Sequence, residues 1–165
     1  MRESVGGAWI YGLVLGFVLL FTSFIALAIN YNKVFKVKNE VLSMIEKYNG
    51  VNEVNKGIIN NYLNNSGYSM TNITCSNYSG EEGLKSGETG SGYINYQKDI
   101  MGINPPQQDM CIRRVKRGDS GNVYAYDIIL FYDLDVPIIG DIFKFKVTGR
   151  TQDIYYPNDI DALNR

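Results

Sequence analysis

Val5-Gly-Gly-Ala-Trp-Ile-Tyr-Gly-Leu-Val-Leu-Gly-Phe-Val-Leu-Leu-Phe-Thr-Ser-Phe-Ile-Ala-Leu-Ala-Ile29 decides how the rest of this chain is read, because no charged residue occurs anywhere from Ser4 to Asn32. A helix needs about 20 apolar residues, each rising about 1.5 Å, to cross hydrocarbon. This run is long enough to span. A cleaved secretory signal is the main competing reading, since Arg2 supplies a weak basic start and Ala26-Leu-Ala28 has the small-x-small form of a cleavage site. The apolar core of a signal is normally about 7 to 15 residues, however, and this run exceeds that, which favours a retained anchor. A buried core helix is a third reading, but about 115 downstream residues are too few to surround a helix that is apolar on every face.

Composition agrees with a bipartite chain. In 165 residues, 45% hydrophobic and 20% charged would fit an ordinary globular domain, but here one terminal run holds much of the apolar content. Sixteen Lys and Arg against seventeen Asp and Glu give a net charge of -1, which removes the electrostatic basis for nucleic-acid binding. There is no histidine, so Ser-His-Asp and Cys-His catalysis and imidazole-based zinc sites are excluded. We expect no enzyme, no cofactor and no small-molecule substrate. The expected division is a short segment at 1-8, a transmembrane helix at 9-31, its amphipathic extension at 32-49 and an extracytoplasmic head at 50-165.

Within the span, Ala8, Gly12 and Gly16 recur every four residues and would let another helix approach closely, although glycine is common in membrane helices in any case. Trp9, Tyr11 and Tyr31 lie near its ends, where amphipathic rings favour the headgroup zone. Orientation is contested by charge: Arg2 and the terminal amine stand on one side, Lys33, Lys36 and Lys38 on the other, which alone would place the tail inside. The cysteine pair discussed below, and a downstream region rich in Tyr, Asn, Gly and Ser, favour an N-terminus in the cytoplasm and a head outside.

After Asn32 the apolar period becomes one-sided, with Val34, Val37, Val41, Ile45 and Tyr48 on one face, and no Gly or Pro interrupts before Gly50. Lys36 and Glu40 form an i,i+4 pair. One helix of about 45 residues follows, stopping at Asn49-Gly50. A second short helix is expected with Val54, Ile58 and Tyr62 on one side beside Ile59 and Leu63, ending at Asn64-Asn-Ser-Gly67. Strands are expected at Tyr68 to Ser76, Tyr93 to Gln97 and Met110 to Arg117, with a loop from Asn77 to Gly92 and no regular structure around Pro105-Pro106. The clearest strand is the last long one, where Tyr124, Tyr126, Ile128, Leu130, Tyr132 and Leu134 share one face and Val123, Ala125, Ile129 and Phe131 the other, as in a central strand covered on both sides. Phe143, Phe145 and Val147 alternate with Lys144, Lys146 and Arg150, as in a strand with one wet face. Turns at Gly118-Asp-Ser-Gly121 and Pro137-Ile-Ile-Gly140 would make three consecutive antiparallel strands. With the helices covering the aromatic face, the fold class is α+β.

Cys75 and Cys111 are the only thiols, each in an expected strand. Their count also allows two free buried cysteines, but a membrane-anchored head on an oxidising side favours a disulfide. Asp133, Asp135 and Asp141 surround one turn without the spacing or bidentate Glu of a calcium loop, so we expect no metal. Arg113, Arg114, Lys116 and Arg117 read most simply as charges protecting an edge strand. Arg117-Gly-Asp119 is ordinary turn chemistry, and Asn64-Asn-Ser66, Asn72-Ile-Thr74 and Asn77-Tyr-Ser79 are acceptor-like sequons in an Asn-rich chain.

The layout resembles pilins and pseudopilins. Arg2-Glu-Ser-Val-Gly-Gly-Ala8 leading into the apolar run, and Tyr126-Asp-Ile-Ile-Leu-Phe-Tyr-Asp-Leu-Asp-Val-Pro-Ile-Ile-Gly140 followed by Phe143-Lys-Phe-Lys-Val147, are similar to the TadE-type minor pilins of tight-adherence (Flp) systems. The resemblance implies a pilin-like fold and a structural subunit whose partners are the membrane, other pilin-like subunits and the pilus assembly machinery. It departs from the pilin pattern in one respect: cleavage after Gly7 would make Gly12 the fifth residue, where such proteins carry a glutamate, and Glu3 lies before Gly6-Gly7. The competing function is a monomeric membrane-anchored binding or adhesion protein with a tyrosine-rich head.

Overall fold

The computed structural model describes residues 2-68, 73-78, 83-118, 122-133 and 144-155, with the side chains of 2-6, 8, 133 and 144 left aside. A single helix, α1, runs without interruption from Arg2 to Lys47, 46 residues in all. From Trp9 to Lys33 none of its side chains is buried, whereas Val34, Val37, Val41 and Ile45 are packed in the core. The change of period in the sequence therefore marks where the head begins. Its end is a two-bond C-terminal lock: the Gly50 N–H donates to Ile45 O (2.8 Å), the Asn49 N–H to Glu46 O (3.1 Å), and Asn49 takes a left-handed φ of 52°.

The corner to α2 (Asn55-Asn65) is built from asparagines. Asn52 Oδ1 accepts from the backbone of Val54 and Asn55, Asn55 Oδ1 accepts from the Asn52 N–H, and Asn55 Nδ2 donates to Gly50 O. This reciprocal pair satisfies N–H groups that a helix start leaves open. It also rotates α2 away from the expected face. Asn55, Ile59, Asn60 and Leu63 are buried, while Val54 and Ile58 remain exposed, because the capping asparagine has to point inward.

Among the described residues, six strands make one antiparallel sheet: β1 (Glu88-Gly90), β2 (Ile94-Asn95), β3 (Met110-Arg117), β4 (Val123-Asp133), β5 (Lys144-Arg150) and β6 (Ile154-Tyr155). The order is β1-β3-β4-β5, with β2 also on β3 and β6 also on β4. As the alternation predicted, β4 is central and buried on both faces. Register Ile128↔Gly149 and Tyr132↔Phe145 puts the aromatic face of β4 with β5 beneath α1. There the helix lies so close that a Cβ on Gly149 would sit 2.8 Å from Leu42 Cδ1 and Lys38 Cδ. Glycine is what permits that approach.

Several expectations change. Cys75 lies in a single 3-10 turn, Cys75-Asn77, and not in a strand; neither Tyr68 nor 73-78 pairs with the sheet, and 69-72 fall outside the described residues. Only Ile94-Asn95 of the expected strand at Tyr93 to Gln97 is paired as strand, after which the chain winds into a single π-helical turn at Tyr96-Ile100. A short strand, β1, occurs inside the expected loop. The segment around Pro105-Pro106 is irregular as expected, with a cis Asn104–Pro105 peptide. The basic residues of β3 are not on an edge, since β1 and β2 pair on one side of it and β4 on the other. The calcium-like Asp135 and Asp141, the turns at 119-121 and 137-140, Asn72 and Ser79 lie outside the described residues.

Candidate functional site: an uncovered helical stem and its clamped head

Between Trp9 and Tyr31 the chain presents large apolar side chains to its surroundings; Trp9 is 76% exposed, Tyr11 74% and Phe24 68%. It is one helix long and apolar enough to cross a membrane. The distance from Trp9 to Tyr31 is about 33 Å at 1.5 Å per residue, against a hydrocarbon thickness of about 30 Å. Between those aromatic ends the hydroxyls of Thr22 and Ser23 both donate to Leu19 O, at 3.0 and 2.8 Å, so they need no water. No atom lies within 4 Å of a Cβ built on Gly12 or Gly16, leaving that stripe open. Ala8 is on the same helix, but its side chain is outside the described set. Tyr31 is only 41% exposed, because its ring meets Phe35 (5.9 Å) and, edge-on, Tyr132 of β4 (6.2 Å). It joins stem to head.

On the sheet face away from α1, Cys75 and Cys111 are disulfide-bonded with their Cα atoms 5.5 Å apart, fastening the 3-10 turn to β3. Tyr78, just past that turn, packs on Phe131 at 5.3 Å between ring centroids. Beside them two of those basic residues, Arg113 and Arg117, join Arg150 in an ion network. In register across three strands, Asp127 of β4 accepts from Arg113 Nε (2.9 Å) and Nη2 (2.7 Å) of β3 and from Arg150 Nε (2.6 Å) of β5. Arg150 Nη1 reaches Glu88 Oε2 at 2.9 Å, Arg117 pairs with Glu88 and Asp153, and the Arg113 guanidinium lies 4.4 Å from the Tyr93 ring centre. A cleft of about 480 Å³ opens here, lined by Tyr93, Arg113, Asp127, Lys146 and Arg150 among others. Its arginines are already engaged by the chain's own carboxylates. No group of three or more His, Cys, Asp or Glu able to hold a metal occurs among the described residues.

Glu88 is held below the usual carboxylate range, first by the Lys85 N–H donating to Oε2 and then by Arg150 and Arg117, with burial opposing. A carboxyl whose folded pKa is depressed contributes stability above its unfolded value and loses it as pH falls through the folded one. Glu88→Gln should therefore be less stable than the native protein at pH 7, and the gap should close below pH ~4, past the ordinary carboxylate value. Urea midpoints measured from pH 7 to pH 3 check this; curves that stay parallel would exclude the ionised Glu88 as the cause.

Polar residues that composition alone would place on the surface are internal ties. Gln97 Nε2 donates to Asn60 and Asn64 of α2, while its Oε1 accepts from Gln107 and Gln108, binding the proline segment to the helix. Tyr96 OH donates to Lys56 O, and Tyr68 OH donates to Asp109 O and accepts from Phe131 N. Burial raises the Tyr96 hydroxyl pKa, so it stays a donor. Sequence reasoning missed these ties; the Asn-x-x-Asn spacing of Asn52 and Asn55 was the one local signal, matching a capping box. Comparison with known protein families, with curated proteins and with solved structures finds no match.

Proposed function

We propose that this chain is a membrane-anchored structural subunit of the pilin type, similar to the TadE-like minor pilins and pseudopilins, with its N-terminus in the cytoplasm and its head outside. It contributes α1 to a bundle of like helices and displays the sheet beyond the membrane. One observation carries the reading: a single unbroken helix is bare and apolar in its first half and forms the spine of an α+β head in its second. The disulfide supports an oxidising location for the head. The tyrosines argue against a ligand-binding head, because Tyr68, Tyr93, Tyr96, Tyr124, Tyr126 and Tyr132 are buried. They build the core.

In a bilayer, helices associate through close packing, not through a hydrophobic drive, so open glycines matter and leucine is tolerated by lipid. Gly12→Leu with Gly16→Leu should insert and fold normally but lose most crosslinking to partner subunits in native membranes. Unchanged crosslinking would remove the bundle reading and leave the monomeric anchored binder.

A further inference from the structure

We infer that the groove between α1 and the C-terminal turn of α2 is a binding site for the phosphate headgroup of an anionic phospholipid in the bilayer that α1 spans; this rests on the anchored reading above. The groove, about 400 Å³, is lined by Lys33, Lys36, Val37, Glu40, Tyr62 and Ser66. Its two cations are exposed and lack an ion pair: neither Lys33 nor Lys36 has a carboxylate within 4 Å among the described residues, and the expected Lys36–Glu40 pair is not formed. Lys33 Nζ extends to the turn just past α2, 3.1 Å from where a Gly67 Cβ would stand. With one Glu against two Lys, the lining is net positive.

Position fixes the occupant. Tyr31 marks the headgroup level, and Lys33 and Lys36 lie about 3 Å and 7.5 Å beyond it along the helix axis. The headgroup layer is itself about 5 to 8 Å deep on each side, so both ammonium groups are at the height of lipid phosphates. No linker separates stem from head, since Val34 is already buried, and the groove therefore opens where phosphates are concentrated. The bland role for these lysines is to offset the carbonyls at the end of α2.

The full chain in nanodiscs of mixed phosphatidylcholine and phosphatidylglycerol tests the two roles. Native mass spectrometry should find phosphatidylglycerol retained preferentially, with the preference falling about fivefold per lysine, or about 30-fold, in Lys33→Gln with Lys36→Gln. Lys33→Arg with Lys36→Arg should retain it. A fall in melting temperature of the Gln variant with lipid preference unchanged would assign the lysines to α2 alone and overturn the site. Equal retention of both lipids by the native protein would overturn it as well. Failure to insert at all, seen as extraction by alkaline carbonate, would instead refute the anchored reading.

Discussion

Asp127→Ala is expected to cost about 3 to 5 kcal/mol of head stability, the range for breaking a buried ion pair from one side. Arg113 is 1% exposed and gives Asp127 two hydrogen bonds, and Arg150 gives it two more. Without the carboxylate, the guanidinium of Arg113 keeps its burial between strands and loses the charge that compensated it. Asp127→Asn retains an acceptor and the shape, so it should lose less. The contrast is Asp153→Ala, which removes an exposed partner of Arg117 and should cost under about 1 kcal/mol. Urea unfolding followed by tryptophan-independent circular dichroism measures all three; equal losses for Asp127→Ala and Asp153→Ala would mean that the row across β3, β4 and β5 is not a unit.

Removing the disulfide should have an effect of similar size by another route. The bridge joins residues 36 apart, and in the chain-entropy model a loop of that length contributes about 3 to 4 kcal/mol by restricting the unfolded state. It also holds the 3-10 turn near the sheet, where the Ile73 N–H donates to Asp109 and Tyr78 covers Phe131. Cys75→Ala with Cys111→Ala should lower the urea midpoint, and a reducing agent should move the native protein to the same place without affecting the variant. A native midpoint indifferent to reductant would refute the bridge or its contribution.

What the sequence made legible were the features carried by local periodicity. Residues 34-45 repeat every three or four positions and form the buried side of α1; residues 123-132 alternate and form the central strand. The disulfide pair was legible from compartment logic, although Cys75 is held by a turn and not a strand. What stayed hidden depends on distant partners. Arg113 looks like a solvated charge until Asp127, fourteen residues on, is placed opposite it in register. Asn55, Asn60 and Gln97 look like surface residues, but cap geometry and the proline segment draw them inward. The uncovered stem was legible as an apolar run, whereas Tyr31's contact with Tyr132 needed the fold.

The absence of any joint in α1 has a mechanical consequence. A helix with an intact hydrogen-bond ladder transmits rotation and tension along its axis, so the head turns with the bare N-terminal half of α1. A pull on the N-terminal end of α1 reaches the interface of Val34, Val37, Val41 and Ile45 with the sheet along the helix axis, loading those contacts together rather than peeling them one at a time. Gly149 lets the rod lie close against β5, and Asn49-Gly50 is where the load path ends. The protein is thus built as a rigid lever whose bare arm and seated arm are one helix.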